Sequence, residues 1–240
     1  MNLPSLFDWL NRFEIFRGNT AAYLVILGAI VIVLAWDWRL KLLALAGQYM
    51  VGGFLYLDML EPRLANVKVL TGLFVCLILY ITARQVSWGR LPEDVLPDEA
   101  GQWGQFKQVQ PGPFGRPMAF MIRLFLTAVW LLAVWFMAAK PSFQLPGMSS
   151  SMPYMTLAIY ALIGLGLISL ALTTEPLNAG MGVLMFLAGI ELVFSTRDQS
   201  VTLMMLLVGL NLLTAVGVAY LIQVRNRLPA DLSDRAGFTE

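Results

Sequence analysis

Residues 177–194 read Leu-Asn-Ala-Gly-Met-Gly-Val-Leu-Met-Phe-Leu-Ala-Gly-Ile-Glu-Leu-Val-Phe, a run whose one ionisable side chain is Glu191. As an α-helix at about 1.5 Å per residue it measures roughly 27 Å, close to the ~30 Å hydrocarbon core of a bilayer. A carboxylic acid inside such a run costs about 2.5 kcal/mol or more on insertion scales, so it should face protein or water rather than lipid. Gly180 and Ala188 lie near the same stripe, where small residues let a neighbouring helix come close. Burial penalises the charged form, which is the condition for a group that takes up and releases protons. The plainer alternative is a protonated acid hydrogen-bonded between helices.

The rest of the chain extends this pattern. Of 240 residues 58% are hydrophobic and 13% charged, against about 25% charged in soluble domains. The mean hydropathy is +0.72. The expected fold is therefore all-α, a polytopic transmembrane bundle of about seven spans: 21–38, 40–60, 64–84, 117–139, 154–174, 177–196 and 200–223. Trp36-Asp37-Trp38-Arg39, Glu61-Pro62-Arg63, Glu175-Pro176 and Thr196-Arg197-Asp198-Gln199 separate neighbouring spans. Residues 1–20 read as an amphipathic helix lying in the interface, with Leu6, Leu10 and Phe13 on its apolar stripe. Residues 85–116 read as a proline-containing cytoplasmic loop, which leaves a three-span bundle over 21–84 before it. After it come a fourth span at 117–139, a three-span module over 154–227 and a cytoplasmic tail over 228–240. Assigning Lys and Arg alternately to the two sides puts ten with the long loop and six opposite. By the positive-inside rule the N-terminus is then outside and the C-terminus cytoplasmic.

Several chemistries are excluded by composition. The chain has no histidine and one cysteine, Cys76, inside an apolar run. It offers no bis-His haem, no His-ligated metal, no iron–sulfur cluster and no serine or cysteine triad of its own, so no cofactor, metal or catalytic residues are expected. A net charge of +1 without a basic stripe argues against nucleic acid as a partner. No repeat of 20–50 residues is apparent, which weakens the case for an inverted-repeat transporter.

Other polar residues in the spans are candidates beside Glu191. Lys68, with Thr71 and Gly72 one turn on, either snorkels to the outer surface or pairs with Asp58 across the Glu61-Pro62 hairpin, as a clip or a proton entry point. Asn211 and Thr214 share a face of the last span, Gln48 shares one with Gly52, and Asn178 opens the sixth span. Each either bonds across helices in ordinary packing or lines a water path. Glu93, Asp94, Asp98 and Glu99 make the long loop a solvated acidic face suited to docking a peripheral partner.

The stretch Tyr154 to Arg227, with Gly189-Ile190-Glu191-Leu192 in its middle span and Val216-Gly-Val-Ala-Tyr-Leu-Ile-Gln223 near its end, resembles a known family. It is similar to the K-type membrane subunit of NADH:quinone oxidoreductase and to the C-type subunit of multisubunit cation/proton antiporters. The N-terminal part, Lys68 to Arg84 above all, resembles the longer component E of hydrogenase-4-type complexes. The resemblance implies a proton-relay glutamate at Glu191 and a non-catalytic subunit of a complex I-like, hydrogenase-like or antiporter-type assembly. Antiporter-like polytopic subunits would be its partners and a proton or Na⁺ its cargo. One departure stands out. Many K-type subunits carry a second glutamate in the final span, whereas Gly209-Leu-Asn211-Leu-Leu213-Thr-Ala215 contains no carboxylate. A two-glutamate relay therefore does not transfer.

Overall fold

The computed structural model describes residues 18–59, 62–86, 115–138, 140, 143, 153–173, 175–197 and 200–236. Within them the chain is all-helical: α1 Asn19–Leu34, α2 Trp38–Leu57, α3 Pro62–Gln85, α4 Gly115–Ala138, α5 Pro153–Ala171, α6 Pro176–Arg197 and α7 Val201–Ala236. The surface helix expected over 1–20 and the loop over 85–116 lie almost wholly outside the described residues, and the last residues of the 228–240 tail lie outside them too. Helix α7 runs on past its apolar part, which ends at Val224.

Six helices, α2 to α7, are long and apolar enough to cross a membrane. The chain is a helical membrane bundle. The first helix departs from the expected span at 21–38. With 16 residues it is about 24 Å long, short of the ~30 Å core. It stops because Ala35 turns extended (φ −62°, ψ 147°) and Asp37 is committed to the next helix, accepting a hydrogen bond from Arg39 N at 3.0 Å as the N-cap of α2. Helices α3, α5 and α6 each begin on a proline, whose fixed φ suits the first helical position and whose missing N–H leaves no orphan there.

The helices close a ring in the order α1, α2, α3, α7, α6, α5 and back to α1, with α2 also touching α6 across it. Helix α4 stands outside, against α5 and α1. Its exposed Phe125, Leu132, Trp135 and Phe136 belong to the apolar belt that the bundle turns outward. One end of the bundle holds Asp37 and the α5–α6 turn. The opposite end holds Arg63 at the start of α3.

Lipid tails are as apolar as leucine, so helix association here rests on close packing rather than on escape from water. The glycines mark where that packing is tightest. A Cβ on Gly166 of α5 would lie 2.7 Å from Phe186 N and 2.9 Å from Gly182 O, both backbone atoms of α6. Gly164 receives the Trp130 indole from α4, whose Nε1 donates to Tyr160 O at 3.2 Å. Leu45, Leu55, Leu79, Leu162, Met181 and Leu184 fill the interior between these contacts.

A buried carboxylate–ammonium site among four helices

Glu191 is 2% exposed, six residues before the C-terminus of α6, with its side chain inside the ring. Three donors meet it. Lys68 Nζ, from α3, lies 2.8 Å from Oε1. Asn211 Nδ2, from α7, donates to the same oxygen at 2.6 Å, and Tyr56 OH, from α2, donates to Oε2 at 3.3 Å. An ionised carboxylate only accepts, and here each oxygen has at least one donor. Four helices thus contribute one group apiece, and Ser195 ties back to Glu191 O at 2.8 Å on α6 itself.

Local structure explains why these side chains converge. Lys68 occupies the second turn of α3, about 9 Å from its Pro62 end by helical rise, and Glu191 is about as far from the same end of the bundle. The two helices run in opposite directions, so both reach the same depth. Gly72, one turn beyond Lys68, gives way to the Tyr49 ring of α2, and Gly53 to Val69 of α3, which brings α2 and α3 close.

A cavity of about 20 Å³ adjoins the pair, bounded by Gln48, Tyr49, Gly52, Tyr56, Lys68 and Glu191 among others. Gln48 Oε1, Tyr49 OH and Asn211 Oδ1 are buried with no hydrogen-bond partner. Chemically, the pair can exist as ammonium and carboxylate or, after one proton moves from Nζ to Oε1, as amine and acid. Desolvation opposes the charged form and Coulomb attraction with hydrogen bonding favours it, so the two forms compete in such a setting.

Four residues singled out from the sequence meet here: Glu191, Lys68 and Asn211 in direct contact, and Gln48 at the cavity wall. The others lie elsewhere. Lys68 is 4% exposed, so it does not snorkel, and the group its ammonium meets is Glu191. Asp58, near the bundle end, accepts from Tyr154 OH at 3.3 Å. Thr214 bonds back to Leu210 O at 2.8 Å on its own helix, as mid-helix threonines do, and does not line the site. Asn178 sits about 20 Å from Glu191 along α6. There it accepts from Lys41 Nζ at 2.9 Å and donates to Glu175 Oε2 at 2.6 Å. Nearby Arg123 donates to Leu172 O at 3.1 Å and stacks over Trp36, so it also fastens α4 to the end of α5.

Tyr56 and Tyr49 were not singled out from the sequence. Tyr56 had a signal, since Gln48, Gly52 and Tyr56 repeat every four residues on one face of α2; Tyr49 had none beyond its neighbour. Among the described residues, no three His, Cys, Asp or Glu side chains group as a metal site requires. The chain matches no family model, no curated protein and no solved structure.

Proposed function

We propose that this chain is a non-redox membrane subunit of a complex I-like, hydrogenase-like or antiporter-type assembly, in which Glu191 passes protons, or Na⁺, between neighbouring polytopic subunits. The observation that carries this reading is the Glu191–Lys68 pair, ionisable on both sides, buried within the spans and 2.8 Å apart. Intramembrane ionisable pairs are costly to keep and typically mark ion pathways. In the relay, Lys68 modulates the charge on Glu191, while Asn211 and Tyr56 hold the carboxylate in place. The resemblance over residues 154–227 supports the same assignment. With no redox centre of its own, the subunit needs partners that supply the driving force.

The end of the bundle that carries Arg39, Arg84 and Arg123 would face the cytoplasm, with the start of α1 outside. Lys41 and Lys68 are buried, but they belong to opposite sides of the count, so setting both aside preserves the positive-inside bias.

The test is Glu191→Gln in the assembled complex, with proton translocation as readout. Translocation should fall sharply while assembly persists. Unchanged translocation with intact assembly would remove Glu191 from the mechanism. One observation favours a second reading, that of a structural or assembly subunit without conduction: the carboxylate is fully partnered, as in a static clip. Under that reading Glu191→Gln weakens the fold yet leaves transport per assembled complex unchanged, and deleting the acidic segment of loop 85–116 abolishes complex formation.

A further inference from the structure

The cavity beside the pair has a specific chemistry. Its volume of about 20 Å³ exceeds the roughly 10–15 Å³ that one water requires. Gln48 is 5% exposed and its Oε1 lacks a donor, and Tyr49 OH is likewise buried without a partner. Across the cavity, the Lys68 ammonium has three N–H donors, and Glu191 is the acceptor in contact with it. Spare acceptors on α2 and spare donors on α3 therefore border one space large enough for a single molecule with two donors and two acceptors. Buried polar groups left unpaired are costly, and a water with three polar partners is the usual solution.

We infer that this cavity is a binding site for one internal water, which bridges Lys68 to Gln48 and Tyr49 and links the ion pair to the inner face of α2. The inference rests on the relay reading only for what the link carries; the water site stands on the unpaired groups alone. Gln48 lies seven residues from Lys41 on the same helix, and Lys41 is 4% exposed and bonded to Asn178, which bonds in turn to Glu175. The water thus aims the pair toward the Asp37 end of the bundle. Tyr56 bonds the opposite carboxylate oxygen on the side of the Arg63 end. Lys68 and Glu191 consequently exchange protons through different neighbours. Once Nζ has given a proton to Glu191, the bridging water passes a proton to the amine while taking one up in turn, so no hydroxide is left behind, and the pair carries one net positive charge until Glu191 releases its proton.

The probe is ¹⁸O-labelled water. Infrared difference spectra between acidic and alkaline pH, taken on the full-length chain in lipid films, should show an O–H stretch that moves to lower frequency in H₂¹⁸O. Gln48→Leu should abolish that band. Gly52→Val is the second variant, because Gly52 borders the cavity and a Cβ there meets no atom within 4 Å; it should displace the water with every polar group retained. In the assembled complex both variants should lower proton flux roughly tenfold, equivalent to about 1.4 kcal/mol on the barrier. An isotope-sensitive band that is absent from the unaltered chain, or that survives both variants, overturns the water site. Flux that collapses in Glu191→Gln but is unchanged in both cavity variants overturns the link and leaves the relay standing. Flux that ignores Glu191→Gln while the band still depends on Gln48 overturns the relay and leaves the water site standing.

Discussion

At the scale of single residues, the energetics of Glu191 depend on what remains when one partner is removed. Breaking a buried ion pair from one side leaves an uncompensated charge and typically costs about 3–5 kcal/mol, whereas replacing both partners by apolar groups is often close to neutral. Glu191→Gln and Lys68→Met should each destabilise the bundle by about that amount, and the double variant should recover most of the loss. Reversible unfolding of the four proteins in mixed micelles measures this, and additive losses in the double variant would show that the pair is not coupled. Tyr56→Phe removes one hydrogen bond of 3.3 Å and should cost only about 0.5–1.5 kcal/mol in the same assay. Most residues of this site were legible beforehand, but not which of them pair. Glu191 was conspicuous as the only charge in its run, but Lys68 pointed to Asp58, across the Glu61-Pro62 hairpin. Its true partner is 123 positions away because α3 and α6 are antiparallel and start from opposite ends, which neither composition nor local periodicity reveals.

At the scale of helices, the glycines separate positions that look alike in the sequence. Gly166 and Gly47 both sit inside apolar helices, and in isolation alanine would favour either helix by about 0.8–1.0 kcal/mol. Their surroundings reverse one sign. Gly166 faces backbone atoms of α6, which cannot move aside as a flexible side chain can, while a Cβ on Gly47 finds open space. Gly166→Ala should therefore destabilise the bundle, by about 1–3 kcal/mol as overpacking typically does, whereas Gly47→Ala should be neutral or stabilising. Thermal unfolding of both variants in one detergent checks the prediction, and equal shifts would contradict it. Helix existence was readable for all seven elements and approximate bounds for five, since apolar runs bounded by Pro, Gly and charge leave little choice; α7 runs on to Ala236, beyond the end expected at 223. The end of α1 was misjudged because Trp36 and Trp38 look like a membrane girdle, while Asp37 between them is the N-cap of α2.

For the molecule as a whole, the ring order explains why the resemblance over 154–227 captures only part of the candidate site. Helices α5, α6 and α7 bring Glu191 and Asn211, but Lys68, Tyr56 and Gln48 come from α2 and α3 on the other side of the ring. Residues 209–215, where the resemblance would lead one to expect a second acid, instead contain Asn211, whose amide donates to Glu191, and the counter-charge is a lysine supplied by the N-terminal helices. The acid is also off-centre, about 9 Å from one end of its helix and about 22 Å from the other, so under the relay proposed above two routes to it would differ in length. Which compartment owns the short route depends on orientation, and that can be measured directly. Cys76 is buried and should resist a membrane-impermeant maleimide, which makes the chain a ready background for introduced cysteines. Arg39 and Arg63 are exposed at opposite ends of the bundle. If the basic end faces the cytoplasm, Arg63→Cys should label in intact cells and Arg39→Cys only after permeabilisation. The short route to Glu191 would then open outside, and the long one, past Gln48 and Lys41, would open in the cytoplasm. The opposite labelling pattern would invert both assignments and leave the geometry of the pair unchanged.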